Sequence, residues 1–341
     1  VRDIADMAAA LGAALAAVAE EAPVVLALDD AHWADGASVA ALGSAVAALR
    51  GPRVVLALTV ATGIGDPPRE LLQFEGEVGR GLPGATVRLD PLSGADVRAL
   101  VGELARWCRD DAERDRLARR VAFETAGNPF FAVTLLSALQ RATTLRPDLT
   151  TWPPPRRTLD APLPFSVPSL VRLAVAMRVK ELDPEEEVVL RAASVCGQAL
   201  DLELVALLAE RSPAQVERSL PAFERRHLVS FDGQRYAFTA PLVAEAVQSE
   251  CLTRGERRRL ERRAIDALAG RADLESRVRR VELLAHVEAG AEAYALALAA
   301  ARDALDIGAA RVARRSIAAA EHLSRTAGVD RAELDALVAR L

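Results

Sequence analysis

The chain has 341 residues and a formal net charge of −5 at pH 7, with 51% hydrophobic and 27% charged residues. This balance is typical of a globular protein of two or three domains and excludes a largely disordered chain. Nucleic-acid-binding chains usually carry a basic excess, which is missing here. The longest apolar run, Met7 to Ala19, is too short to span a bilayer. We therefore expect a cytoplasmic protein with no membrane partner.

The first 90 residues alternate helical and strand patterns. A helix is predicted over 1–22, where small apolar residues recur until Pro23 ends the pattern. Val24–Asp30 and Val54–Thr59 each begin with five apolar residues, which predicts strands buried on both faces. Helices are also predicted at 38–49 and 69–78, and a third strand at 86–89. This alternation is typical of a parallel α/β sheet.

From residue 93 the pattern is mostly helical. Helices are predicted at 93–107, 111–124, 129–139, 169–181, 184–195, 201–209 and 213–226. Prolines crowd the stretch 143–168 and predict a linker or strap without regular structure. Asp232-Gly233 separates two short apolar runs, 228–231 and 235–238, and predicts a β-hairpin. Helices at 275–289, 291–306, 309–323 and 330–341 have the spacing of tetratricopeptide-type hairpins.

Metal-ligating residue types are scattered along the chain. The cysteines are Cys108, Cys196 and Cys251, and the isolated histidines are His227, His286 and His322. No cysteines form a Cys-x-x-Cys pair, and none of these histidines has a carboxylate or cysteine at metal spacing. Free thiols in a reducing compartment explain the cysteines better than a disulfide framework or a zinc site does.

The most specific local signal is VVLALDDAHWAD, residues 24–35. A buried strand that ends in paired acids projects them from its carboxyl edge, where open α/β sheets bind ligands. One acid there can hold Mg²⁺ through water and the next can orient an attacking water, so we assign these roles to Asp29 and Asp30. The alternative is that two acids simply mark a strand end. His32 and Trp33 could contact nucleotide or a neighbouring subunit, or they could pack the turn after the strand. For Trp33 we favour packing.

This stretch resembles the extended Walker B motif of STAND-type ATPases, the signalling relatives of AAA proteins. That group includes the large ATP-binding LuxR-type transcriptional regulators. Val54–Thr59 stands where the family has its sensor-one strand, and Gly127-Asn128-Pro129 looks like its GNP-type element near the adenine. The resemblance implies Thr59, Gly127, Asn128 and Pro129 as nucleotide-binding residues, and ATP or ADP with Mg²⁺ as cofactors.

The resulting fold prediction is an α/β part followed by all-α parts. Residues 1–142 are predicted to be the rear half of a P-loop ATPase domain, a truncated parallel sheet with a helical lid. A Pro-rich linker at 143–168 leads to a winged-helix-like domain at 169–269. Residues 270–341 are predicted to start a region of tetratricopeptide-like helical hairpins.

Several features of the family pattern are absent from these residues. A phosphate-binding loop ends in Gly-Lys-Ser/Thr, whereas the sole lysine, Lys180, stands between valine and glutamate. Val60-Ala61 follow Thr59 where the family has its sensor-one Arg, and Ala240 stands where its winged helix has a His. Without these cations the transferring phosphate loses stabilisation.

We expect the phosphate-binding loop upstream of Val1 or missing from the protein. The sheet would then lack its central strand and expose an apolar edge. These 341 residues alone are expected to bind ATP weakly or not at all, and ATPase activity is expected only if an intact loop lies upstream.

Two functions fit these observations. One is a nucleotide-dependent signalling switch that regulates transcription in the full-length protein, with a small-molecule or protein inducer at the helical repeats. The other is a catalytically degenerate scaffold for oligomerisation, including homo-oligomerisation, or partner binding. Direct DNA contact is disfavoured, because residues 164–269 carry 15 basic and 16 acidic side chains.

Overall fold

The structure is a computed structural model that describes residues 2–49, 53–63, 67–159, 161–287, 290–327 and 329–341. It divides into two compact units, Val1–Asp90 and Pro91–Leu341. The described residues are mostly helical, with a small parallel sheet and a hairpin. The domain boundaries expected at 142, 168 and 269 stay predictions. Val1 and residues 288–289, which belong to predicted helices, lie outside the described ranges.

The first unit places two parallel strands among three helices. Its elements are α1 (Arg2–Glu21), β1 (Val24–Leu28), α2 (Gly36–Ala48), β2 (Val54–Leu58) and α3 (Arg69–Glu77). The strands pair in register, from Val24 opposite Val54 to Leu28 opposite Leu58, which confirms the predicted parallel pairing. Asp35 starts α2 by accepting the N–H of Ser38 at 2.9 Å, which satisfies an otherwise unpaired helix-end donor.

The two strands are covered on only one face, so the prediction of burial on both faces was wrong. One face packs on a small apolar cluster. That cluster consists of Ala31, Val39 and Leu71, with Leu28 and Leu58 from the strands. On the other face Val25 and Val55 are 71% and 54% exposed. A five-residue apolar run does not show whether helices cover one face of a strand or both. Burial of the second face requires a second layer of helices.

The third strand predicted at 86–89 does not form. Val87 and Leu89 of this extended segment are 78% and 93% exposed. A strand needs a neighbour for its backbone N–H and C=O groups. Within the described residues the parallel sheet has only β1 and β2, and this segment pairs with neither of them. The exposed apolar residues Val25 and Val55 lie on a face of the sheet, and the apolar edge expected from the sequence stays a prediction.

The second unit is a helical assembly with one hairpin in its described residues. Its helices are α4 (Gly94–Leu104), α5 (Asp111–Thr125), α6 (Pro129–Leu145), α7 (Ser169–Val179), α8 (Pro184–Cys196), α9 (Leu202–Ala209), α10 (Pro213–Arg225), α11 (Pro241–Cys251), α12 (Arg254–Leu268), α13 (Leu274–Val287), α14 (Ala291–Asp306), α15 (Ala310–Ala327) and α16 (Ala332–Arg340). The strands are β3 (Val229–Phe231) and β4 (Tyr236–Phe238). One apolar core runs through the unit from α4 to α16, so the C-terminal helices share it.

Side-chain caps fix where many of these helices begin. Caps that accept the N–H three residues later are Ser93, Asp110, Asp201, Ser212 and Thr253. Each cap supplies an acceptor to an N–H group that has no partner inside its helix. The chain therefore encodes these helix starts locally.

The predicted hairpin is confirmed. β3 and β4 pair antiparallel, with Val229 opposite Phe238. In the turn, Asp232 Oδ1 accepts the N–H groups of Gln234 and Arg235, both at 2.9 Å, and these bonds lower the pKa of the carboxyl. Gly233 has φ +96°, a conformation that costs glycine little.

The described residues of 146–168, called the strap here, contact α5 through Trp152, Pro153 and Thr158. We expected no regular structure, but Pro147–Thr151 and Pro155–Arg157 form short 3₁₀ turns. The Arg120 guanidinium donates to the Thr158 carbonyl at 3.2 Å and lies 5.1 Å from the Trp152 ring centroid. Its charge is matched by Glu124, whose Oε1 is 2.8 Å from Nε. A buried ion pair therefore anchors the strap.

Ion pairs also join the C-terminal helices. Arg315 of α15 pairs with Glu282 of α13 at 2.7 Å and also with Glu275. Arg157 of the strap reaches Glu321 of α15 at 2.5 Å. Separately, none of the helices in the described ranges is both long enough and apolar enough to cross a bilayer.

Candidate functional site

The two parallel strands bring Asp29, Asp30 and Thr59 together at their carboxyl ends. The Thr59 hydroxyl donates to Asp29 Oδ1 and accepts the Asp30 N–H at 2.8 Å. The backbones continue the pairing, because the Ala31 N–H donates to the Thr59 carbonyl at 2.8 Å. A hydroxyl has only one proton, so the Thr59 side chain is oriented by these two bonds. Three residues predicted from sequence thus form one cluster.

The turn after β1 points the Asp30 carboxylate away from the strand. Asp30 adopts φ 53° and ψ 43°, a left-handed conformation that aspartate tolerates better than most residues. Its side chain is 61% exposed. The Asp30 carboxylate is therefore accessible to a ligand, while its own backbone N–H holds the turn to Thr59.

His32 ties this turn to the residues after β2. The imidazole is buried, and its Nδ1 accepts the Ala61 N–H at 3.2 Å. The same nitrogen lies 3.9 Å from Asp30 Oδ1, a separation that makes an ion pair only if Nδ1 carries a proton. Nδ1 accepts the hydrogen bond of the Ala61 N–H, so this nitrogen carries no proton in this arrangement. Packing of the turn after the strand was one of the two roles expected for His32 from sequence.

Trp33 does not pack into the core, so the packing role favoured from sequence was wrong. The residue is 61% exposed, and its ring lies 5.0 Å from the His32 ring. The 3₁₀ turn Ala31–Trp33 directs His32 inward and leaves Trp33 outside.

Gly127, Asn128 and Pro129 form the turn between α5 and α6 in the second unit. Gly127 has φ +75°, and its carbonyl accepts the Leu92 N–H at 2.8 Å. Asn128 caps α6 by accepting the Phe131 N–H at 3.1 Å, and Pro129 occupies the first turn. Each residue therefore has a structural reason to be there, and its nucleotide-binding role stays a prediction.

Replacing Gly127 with alanine is expected to destabilise the second unit by at least about 2 kcal/mol. A Cβ at this position would collide with the Leu92 carbonyl, and the positive φ adds strain. The matched control is Gly102→Ala on α4, where a Cβ meets nothing within 4 Å. That change should stabilise the helix by about 0.5–1 kcal/mol. Thermal unfolding of both variants measures the contrast, and equal melting temperatures would contradict it.

Two positions where the family pattern places cations hold small apolar residues instead. Ala240 is buried at the start of α11. Ala61 uses its N–H to bond His32 rather than presenting a charge. Neither position 61 nor position 240 therefore carries a positive charge.

Thr59→Val is expected to loosen the ends of both strands, because valine keeps the shape but loses both hydroxyl bonds. Each lost bond costs about 1 kcal/mol, so the Asp30 and Ala31 amides should exchange roughly tenfold faster or more. Thr59→Ser keeps the hydroxyl and serves as the control. Hydrogen exchange resolved by mass spectrometry checks this, and equal exchange in the two variants would contradict the bridging role.

No protein-family model matches the sequence, and no curated protein matches it either. Among solved structures the chain is similar to a Walker-type ATPase of Pyrococcus abyssi, with a TM-score of 0.44 and 15% identity. It is also similar to a STAND protein with a tetratricopeptide repeat sensor from Pyrococcus horikoshii, with a TM-score of 0.33 and 16% identity. The matches cover 69% and 88% of this chain, but only 66% and 40% of those proteins.

Proposed function

We propose that the chain belongs to a nucleotide-dependent signalling switch of the STAND type, with ATP or ADP bound at the carboxyl ends of β1 and β2. The observation that carries the proposal is the Thr59 hydroxyl, which joins Asp29 and Asp30 into one oriented pair. Acids that merely ended a strand would not require a hydroxyl on the neighbouring strand to fix them.

The residues present suit a magnesium ion. Mg²⁺ prefers carboxylate oxygens and keeps several waters, binding through one or two carboxylates plus substrate phosphates. Asp29 accepts one bond from Thr59, and its other carboxylate oxygen remains for a magnesium-bound water. Among the described residues no group of three or more acidic, histidine or cysteine side chains could form a complete protein cage. A site of this kind needs none, because phosphate and water complete the shell.

Asp29 and Asp30 would have different roles because of their positions. Asp29 would hold Mg²⁺ through water, and the ion would offset charge on the phosphates. Asp30 would accept a hydrogen bond from the attacking water, whose oxygen displaces ADP from the γ-phosphorus. The exposed Asp30 side chain suits this role, because the substrate water must reach it.

The second unit would contribute recognition and response. Gly127, Asn128 and Pro129 would lie near the adenine. Helices α7–α12 with the β3–β4 hairpin, within residues 169–269, would form a winged-helix-like arm that responds to nucleotide state. Helices α13–α16 would begin a tetratricopeptide-like region for an inducer. In the full-length protein the output would be transcription, as in the large LuxR-type regulators, with homo-oligomerisation as a further step and no direct DNA contact by these residues.

A second candidate is a scaffold with a degenerate ATPase fold. Its specific support is the missing positive charge, since Ala61 and Ala240 replace expected cations. The exposed Val25–Val55 face would then serve partner binding or oligomerisation.

Nucleotide titration of the natural full-length protein separates the two candidates. For the switch, Mg²⁺ should strengthen ATP binding, and Asp29→Asn should reduce that gain about tenfold. Asp6→Asn, at an exposed position of α1, is the matched control and should leave binding unchanged. Magnesium-independent binding in all three proteins, or none in any, would favour the scaffold.

A further inference from the structure

Arg178, on the last turn of α7, has an unusual guanidinium environment. Among the described residues its Nε has no hydrogen-bond partner although the atom is buried. Its hydrogen bond to the His227 carbonyl is long, at 3.5 Å from Nη1. The cation lies 5.9 Å from the ring centroid of the buried Phe131. A buried donor without a partner is costly, so this guanidinium calls for an explanation.

Arg211 and Arg280 also have a buried Nε without a partner among the described residues, whereas two other arginines have carboxylates nearby. Nε atoms of Arg172 and Arg279 also lack hydrogen bonds of good geometry, but Glu250 and Glu282 lie 2.7 and 3.0 Å from these two guanidinium groups. Arg178 has no carboxylate within ion-pair distance in the described residues. The acid nearest in sequence, Glu181, pairs with Arg226 at 3.2 Å. Within the described residues Arg178 therefore has no ion-pair partner, and Glu181 offsets its charge only in part.

The electrostatics agree with this geometry. Burial lowers the pKa of Arg178, and Glu181 opposes that effect only in part. Burial also lowers the pKa of His227, and the charge of Arg178 lowers it further. Arg178 remains charged, since guanidinium groups do not lose their proton in proteins. Arg178 thus supplies a positive charge at the corner between α7 and the start of β3.

We propose that Arg178 binds a phosphate group, with His227 beside it. The planar guanidinium presents two parallel N–H donors that match phosphate oxygens. A phosphate near neutral pH carries nearly two negative charges, which suits a corner where the charge of Arg178 disfavours protonation of His227. The ligand is free phosphate, pyrophosphate or the phosphates of a nucleotide. The site lies wholly within the second unit, uses neither Asp29 nor Asp30, and stands if those carboxylates prove inert.

The test is a calorimetric titration of the whole chain with pyrophosphate in EDTA, where no magnesium-dependent site contributes. The wild-type protein should bind saturably, and Arg178→Gln should weaken binding about tenfold or more. Arg172→Gln on the same helix is the matched control and should retain the wild-type affinity. ADP that competes with pyrophosphate while adenosine does not identifies a nucleotide source, and competition by inorganic phosphate alone identifies the free anion. No saturable binding, or equal loss in both variants, would overturn the proposal.

The melting temperature of the free protein distinguishes a binding role of Arg178 from a structural role. Arg178→Met removes a cation that has no ion-pair partner and keeps an apolar chain over Phe131, so its melting temperature should equal or exceed that of the wild type. The same variant should lose pyrophosphate binding. A lowered melting temperature would show that Arg178 stabilises the fold, and the proposal would fail.

Discussion

Asp30→Asn is expected to lower the rate of ATP hydrolysis by the natural full-length protein about 10²–10⁴-fold, the usual contribution of a positioned general base. Asparagine keeps the size of the side chain but accepts a proton far less readily. It also tolerates the left-handed backbone of position 30, so the turn should survive. ATP affinity should change little, because Asp30 acts on the attacking water rather than on the nucleotide. Steady-state kinetics with a separate binding titration measures both quantities.

Two controls accompany the Asp30→Asn measurement. Asp6→Asn makes the same chemical change at an exposed position of α1 and should leave the rate unaltered. Unchanged exchange of the Ala31 amide would show that the turn is intact. A variant as active as the wild type would remove Asp30 from the chemistry. A wild-type protein without measurable ATP hydrolysis would favour the scaffold.

The largest effect on stability is expected from Arg120→Met, at about 3–5 kcal/mol. The change leaves Glu124 buried without its cation and removes the bond from α5 to Thr158 of the strap. The double variant Arg120→Met with Glu124→Met should regain most of that loss, because no buried charge is left alone. Arg114→Met, on the same helix, breaks a more exposed pair with Asp111 and should cost less than about 1 kcal/mol.

The stability lost in Arg120→Met should depend on pH. Burial raises the pKa of Glu124, and Arg120 offsets that only in part. A carboxyl with a raised folded pKa stabilises the fold below its unfolded pKa and loses that contribution as pH rises through the folded value. Without Arg120 the pKa should rise further. Arg120→Met should therefore be more destabilised at pH 8 than at pH 5 in urea unfolding, and the opposite trend would contradict the buried-pair account.

The parts of the structure encoded by adjacent residues could be predicted from sequence. The repeated VVLAL runs gave the paired strands, Asp232-Gly233 gave the hairpin, and Asn128-Pro129 marked the start of α6. Each depends on backbone conformations or caps set within a few residues. The clustering of Asp29, Asp30 and Thr59 followed because parallel strands end at the same sheet edge.

Other features depend on partners distant in sequence. The alternation at 86–89 suited a strand, but a strand forms only beside another, and Val87 stays exposed. Arg120 and Glu124 stand at helical spacing, and their burial depends on the strap, whose residues lie about 30 or more positions further along the chain. The environment of Arg178 combines α7, Phe131 of α6 and the residue before β3, so no local motif could reveal it.

The most direct test of the central claim is an experimental structure of the natural full-length protein with Mg²⁺ and a non-hydrolysable ATP analogue. We predict the γ-phosphate beyond the ends of β1 and β2, a water of the magnesium ion against the Asp29 carboxylate, and the Asp30 carboxylate facing the attacking position. A triphosphate bound elsewhere, with Asp29 and Asp30 both turned to bulk solvent, would contradict the account.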